Sequence, residues 1–272
     1  MKEYRIKSGS HLKFTDHDAD DTGDYKKNDQ GKEKAKADAA KLIGKLDALQ
    51  ERLYAEGARS LLIVLQGMDT SGKDGVISHV MSGVNPQGCK VVPFKAPSAE
   101  ELGHDFLWRV HQKAPSKGQI GIFNRSHYED VLVTRVHGWV TDKVVKQRYN
   151  QIREFEELLI ENGTTVLKFF LHISKDEQKR RLEDRIKDPE KRWKFSEGDL
   201  EERKLWSEYM AAFEDVLSAT STERAPWFIV PANHKWYRNL VVAERVVSAL
   251  EKMKLTTPPA PKGIDFAKLK IV

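Results

Sequence analysis

Cysteine is nearly absent: Cys89 is the only one among 272 residues. That excludes an intrachain disulfide framework and a multi-cysteine metal site, and it fits a reducing, cytoplasmic setting. Long apolar runs are missing as well. None approaches the ~20 residues that cross a bilayer, and the opening MKEYRIKSGS has no apolar signal core, so neither a membrane partner nor export is expected. The nine histidines form no HExxH or similarly spaced pair, which removes the usual zinc patterns. Charge of one sign is only slightly in excess, with 46 basic against 41 acidic residues. A polyanionic partner would therefore have to be met by a local basic track. No N-K-x-D base-reading motif appears, and no basic stretch has regularly interleaved aromatics. Both absences weaken a nucleotide-dependent switch or a nucleic-acid-binding module, and nucleic acid is not an expected partner.

What is present centres on Ser60 to Gly75, SLLIVLQGMDTSGKDG. Leu61 to Leu65 is a continuous, branched apolar run, the pattern of a strand buried on both faces. The chain then turns polar, and Gly67, Gly72 and Lys73 fit G-x-x-x-x-G-K, the loop whose backbone N–H groups cradle phosphates beside a helix N-terminus. Thr70, Ser71 and Asp74 complete the candidate binding set. In the common form a Ser or Thr follows the lysine and ligates Mg²⁺. Here Asp74 and Gly75 follow, and the nearby hydroxyls precede the lysine. The loop carries Asp69 instead. A carboxylate inside an anion-binding loop repels the ligand unless a cation lies between them, which makes Asp69 a candidate Mg²⁺ ligand. A Gly-rich turn with an Asp capping the helix is the bland alternative.

Residues 1–31 show no sustained periodicity and read as an extended arm, locally packed or partly mobile. Leucines at 42, 46, 49 and 53 then recur at helical spacing up to Gly57. Further strands are expected at Cys89–Phe94, Gln119–Phe123, Thr164–Ile173 and Trp227–Val230. Helices are expected at Lys73–Gly83, Ser98–Lys113, Ser126–Val136, Thr141–Asn162, from Ser174 to about Lys187, at about Asp199–Ala219 and at Trp236–Lys254. Ser98 with Glu101, and Ser174 with Glu177, read as capping boxes. The alternation predicts an α/β fold: a three-layer α/β/α domain with a five-stranded parallel sheet, of the P-loop kinase type, and a helical lid. The expected divisions are an N-terminal arm and helix (1–57), the main domain (58–254, lid at about 175–200) and a C-terminal tail (255–272).

At the end of the third strand stands FNRSHYED. Arg125, directly after a buried strand, can reach phosphates as a bidentate donor. Asn124 occupies a position where an Asp would often order Mg²⁺, and its amide oxygen can still do so. Of Glu129 and Asp130, one can face the site and the other solvent. Lys179 to Lys194 carries eight basic and four acidic side chains. Arg181 and Arg185 lie one turn apart on one face of that helix, with Leu182 and Ile186 on the other, the arrangement of a lid over a phosphate chain or of a solvated helix.

With these elements in hand, the sequence resembles the polyphosphate kinase 2 family from about Tyr4 to Met253. GMDTSGKDG, FKAPSAEELGHDFLWR, FNRSHYEDVLVTRV and RRLEDRIKDPEKRWKFSEGD carry the resemblance. Much of the family has Asp where Asn124 stands, and the FNRSHYED form is similar to the class acting on both nucleoside mono- and diphosphates. The resemblance implies Mg²⁺-assisted phosphate transfer between inorganic polyphosphate and adenine nucleotides (AMP, ADP, ATP) in a cytoplasmic homo-oligomer, dimer or tetramer. It implies that Asp69, Asn124 and Glu129 make the metal and acceptor site, that Lys73 and Arg125 bind transferring phosphates, and that Arg181 and Arg185 act from the lid. Lys95 and Arg135 are further candidate phosphate contacts, each open to being a surface charge or a structural ion pair. An ATP-dependent nucleoside monophosphate kinase of the thymidylate kinase type remains the competing enzyme.

Overall fold

The computed structural model describes residues 3–263, 266, 268 and 269, so the expected tail lies in part outside the described residues. After an N-terminal arm come α1 (Asp29–Glu56), β1 (Ser60–Gln66), α2 (Lys73–Val80), β2 (Cys89–Pro93), α3 (Ala99–Leu102), α4 (Trp108–His111) and β3 (Ile120–Asn124). The chain continues through α5 (Val133–Val136), α6 (Asp142–Glu161), β4 (Thr164–His172), α7 (Lys175–Lys187), α8 (Glu197–Lys204), α9 (Trp206–Thr220), β5 (Trp227–Pro231) and α10 (Lys235–Lys252). Among the described residues no helix is long and apolar enough to cross a membrane.

Side chains alternate across a strand, and β1 shows what that does here. Leu61, Ile63 and Leu65 enter a core with Leu46 and Leu53 of α1, Val76 of α2 and Val242 and Val246 of α10. Leu62 and Val64 enter the opposite core, with Ile152 and Phe155 of α6 and Phe213 and Val216 of α9. Every residue of β1 is buried, as a central strand covered on both faces must be. The sheet order is β2-β3-β1-β4-β5 with all pairings parallel, which is the three-layer α/β/α architecture expected. The chain builds β2 and β3 on one flank of β1 and β4 and β5 on the other. Winding reverses at β1, and the crevice beyond its carboxyl end is where such sheets bind ligands.

Several expected elements differ in form. The helix read over Ser98–Lys113 is two short pieces, because the Ser98–Glu101 capping box opens a turn that closes at Gly103, and Asp105 Oδ1 then accepts from Leu107 N in a loop of its own. Ser126–Val136 splits into a 3-10 turn (His127–Val131) and α5, since Ser126 Oγ takes the Tyr128 N–H and Leu132 leaves helical dihedrals. The helix expected over 199–219 breaks at Leu205 between α8 and α9. Ser174 caps α7 as expected, but the Glu177 carboxylate turns away to Arg180 and Arg181. The Ser174 N–H goes instead to Asn233 Oδ1, so only half the box forms.

The arm does not pack locally. Ile6 N donates to Trp227 O and Ile229 N to Tyr4 O, both at 2.9 Å, which lays residues 4–6 antiparallel along the outer edge of β5. Farther along, the Asn233 N–H donates to Ala19 O, and the His172 ring contacts His17 O at 3.1 Å. The apolar Tyr4, Ile6 and Leu12 anchor it in both cores.

Candidate active site

The loop from Gly67 to Gly72 leaves the carboxyl end of β1 and runs into the first turn of α2. Lys73, 9% exposed, curls back and donates to Gly67 O at 2.7 Å and Met68 O at 3.3 Å. Burial, with repulsion from Arg125, lowers its pKa to about 8, against the pull of Asp69, Glu129 and Asp74. Thr70 holds a left-handed backbone (φ 64°), and Arg125, opposite it, does the same (φ 60°). Non-glycine residues in that region are uncommon and gather at functional sites. Thr70 Oγ1 and Ser71 Oγ are buried and have no hydrogen-bond partner among the described residues.

Around this loop the structure gathers most of the expected residues. Arg125 Nη2 donates to Asp69 Oδ1 at 2.7 Å, and Asn124 Nδ2 donates to Asp74 Oδ1 at 2.6 Å. Glu129 faces inward near Arg125, Lys73 and Asp69. Burial pushes its carboxyl up despite the two cations. Asp130 turns from the loop but not to solvent, as it lies 3.6 Å from the buried Arg109.

The lid pair divides. Arg181 is 5% exposed, and its five N–H donors meet Thr70 O, Ser71 O, Ala232 O, Asn233 O and Glu177 Oε1 at 2.5–3.1 Å. A guanidinium has no more donors than that, so Arg181 braces the loop backbone with every donor engaged. Arg185 is more open, with Lys194 O and Asp199 Oδ2 each at 3.4 Å from Nη1. On the other face Leu182 is buried, but Ile186 is exposed. Arg135 is a structural ion pair, to Asp215 at 2.8 Å and Asp142 at 3.5 Å, tying α5 to α9 and α6. Lys95 is exposed beyond β2, and its carbonyl accepts from Arg109.

Three residues near the loop escaped the sequence reading. Gln178 Nε2 donates to Asp69 O at 3.2 Å. Asp199, at the start of α8, is pushed up by burial and by the nearby Asp69 carboxylate. Arg238 of α10 donates to Ser71 O at 3.2 Å. Asp199 ended the quoted RRLEDRIKDPEKRWKFSEGD stretch and could have been singled out as a carboxylate in a basic segment. Nothing in the sequence around Arg238 points to the loop.

Among the described residues no three His, Cys, Asp or Glu side chains are grouped to hold a metal ion. Mg²⁺ needs no such cage, since it commonly takes one or two carboxylates and completes its shell with water and phosphate oxygens. The Asp69 carboxylate beside two unpartnered hydroxyls fits that donor set.

A family model for polyphosphate kinase 2 matches residues 28–258. The AMP/ADP-polyphosphate phosphotransferase of Meiothermus ruber is 51% identical over 258 residues, 95% of this chain and 96% of its own. The ADP-polyphosphate phosphotransferase of Rhodopseudomonas palustris is 48% identical over 228 residues, 79% of each chain. The crystal structure of polyphosphate kinase 2 from Arthrobacter aurescens superposes with a TM-score of 0.91 at 45% identity, covering 97% of this chain and 92% of that one. Because the match runs from the cap of α1 to beyond the end of α10, taking in the loop, β3 and α7, the chain belongs to the polyphosphate kinase 2 family.

Proposed function

We propose that the protein moves phosphate between inorganic polyphosphate and the adenine nucleotides AMP and ADP, forming ADP and ATP by direct in-line transfer. The observation that carries this is the pair of buried, unpartnered hydroxyls of Thr70 and Ser71 inside the loop. Each such group left unsatisfied costs about 1–3 kcal/mol, and phosphate oxygens or metal-bound water would offset it. The activities named for the Meiothermus ruber and Rhodopseudomonas palustris relatives support polyphosphate with AMP and ADP over other substrate pairs.

In this reading Lys73 and Arg125 bind the transferring phosphates, with Arg125 moving from Asp69 to do so. Arg185 reaches the chain from the lid, and Lys95 meets its outer phosphates. Arg181 holds the loop in shape. Mg²⁺, when bound, would be held by Asp69 with Asn124 and Glu129 nearby, and it would neutralise charge on the phosphate oxygens. No side chain need form a covalent intermediate, because positioning and charge neutralisation suffice for phosphoryl transfer. We place the enzyme in the cytoplasm as a homo-oligomer, a state that sedimentation would measure.

The test is incubation of purified protein with Mg²⁺ and AMP or ADP, using polyphosphate or ATP as donor. Formation of ATP from ADP with polyphosphate as sole donor is expected. Transfer from ATP alone, with polyphosphate inert, would favour a monophosphate kinase of the thymidylate kinase type.

A further inference from the structure

Two arginines meet behind the phosphate loop. Arg181 of α7 and Arg238 of α10 donate to the same oxygen, the Ser71 carbonyl, at 3.1 and 3.2 Å. Their surroundings differ. Arg181 has the Glu177 carboxylate at 2.6 Å. Arg238 is 2% exposed and among the described residues finds only neutral acceptors, Ser71 O and Asn239 Oδ1, the latter at 2.9 Å from Nη2 and 3.1 Å from Nε. Its charged neighbours are cations, Arg181 and Lys235, and burial together with the repulsion from Arg181 lowers its pKa to about 9. A buried charge without an opposite partner is expensive to keep.

The loop is shaped around this guanidinium. A Cβ at Gly72, whose φ is 101°, would lie 1.8 Å from Arg238 Nη1, and one at Gly75 would lie 2.9 Å from Nη2. Both glycines of the GKDG motif therefore leave room for a residue that follows them by more than 160 positions. Across a trans peptide the C=O and N–H point in opposite directions. An arginine that holds the Ser71 carbonyl therefore turns the Gly72 N–H to the other side.

We propose that Arg238 is a positioning residue for phosphate binding, which aims the Gly72 N–H into the loop and supplies a buried positive charge whose counter-charge is the bound phosphate. This rests on the polyphosphate-transfer reading above. Arg238 touches no phosphate itself, so its contribution is electrostatic and conformational.

The test is calorimetric titration with inorganic tripolyphosphate at two NaCl concentrations, using Arg238→Met, Arg238→Lys, Gly75→Ala and the Gly75→Ala/Arg238→Met pair. Arg238→Met should weaken binding about tenfold or more, the effect of one unit charge acting at low effective dielectric. The loss should be similar at both salt concentrations, since a buried charge is little screened and no direct contact has gone. Arg238→Lys should recover part of it. Gly75→Ala should weaken binding although alanine favours helix, and that loss should vanish once Arg238 is Met. Native affinity in Arg238→Met, or a Gly75→Ala loss undiminished without Arg238, would overturn the proposal. Should Arg238→Met fail to fold, Gly75→Ala decides alone, and unchanged affinity overturns it. Transfer of phosphate from polyphosphate to ADP by the native chain is assayed alongside. Its absence would count against the function proposed above, while the binding cycle still judges Arg238.

Discussion

Asn124 and Asp74 are joined by a 2.6 Å hydrogen bond, from the side-chain nitrogen at the end of β3 to the carboxylate in the first turn of α2. The neutral residue at 124 is thus the partner of an acid. Asn124→Asp would set two carboxylates against each other where an incoming nucleotide phosphate, also an anion, is proposed to bind.

AMP brings its single phosphate to that point, whereas ADP can keep part of its charge farther out. The substitution should lower kcat/KM for AMP more than for ADP, by a differential of about 1–2 kcal/mol. Adding Asp74→Asn should restore much of the loss. Equal losses for the two acceptors, or a gain for AMP, measured over a wide Mg²⁺ range, would show that position 124 does not set acceptor choice this way.

Asp69 is three-quarters buried, yet among the described residues the one side chain hydrogen-bonded to its carboxylate is Arg125. Asp69→Asn should therefore lower kcat by about a hundredfold or more, while stability changes by less than about 1 kcal/mol, the range of a partly exposed ion pair. Near-native turnover across a Mg²⁺ titration would remove Asp69 from the site.

Arg181 and Arg185 should separate cleanly. Arg181→Gln removes the side-chain donors to the Thr70, Ala232 and Asn233 carbonyls and one of the two arginines on the Glu177 carboxylate and on Ser71 O, and should destabilise the fold by about 3 kcal/mol, seen in thermal melts. Arg185→Gln should leave the melting temperature nearly unchanged and lower kcat. If both variants melt alike and both lose only activity, the bracing role assigned to Arg181 is wrong.

Lys73 gives a pH signature with two opposite signs. Its pKa falls from the ordinary lysine value to about 8 in the folded chain. Between there and the unfolded value the unfolded chain binds more protons, so the stability of the ligand-free protein should gain a rising contribution from this group as pH increases. Tripolyphosphate prefers the protonated lysine, so its affinity should fall over the same window, by up to about tenfold per pH unit. Lys73→Met should abolish both trends, and a flat affinity profile in the native chain would refute the assignment.

The strand, loop and lysine were legible in the sequence because each has a local pattern: a branched apolar run, spaced glycines, one cation at a fixed offset. Asn124, Arg125 and Glu129 were legible because they directly follow a buried strand. Arg181 was visible as a cation on a helix face, but helical spacing says only which residues share that face. Its backbone acceptors at Ala232 and Asn233 lie about fifty residues on. Arg238 was beyond reach for the same reason, since its partner Ser71 is 167 residues away. The break at Gly103 was missed because a short polar turn competes with helix through local hydrogen bonds that hydrophobic periodicity does not register.

The arm laid along β5 has a consequence for how copies of this protein can meet. An open strand edge offers unpaired amide and carbonyl groups to any other chain, and residues 4–6 take that edge out of play. At the opposite margin β2 exposes Lys90, Val91 and Pro93, the first a charge and the last a residue with no N–H to donate. Neither margin invites a sheet to continue from one molecule into the next. Any contact between copies is thereby left to side chains on the helical layers and loops, and the sheet is guarded against runaway strand-to-strand growth.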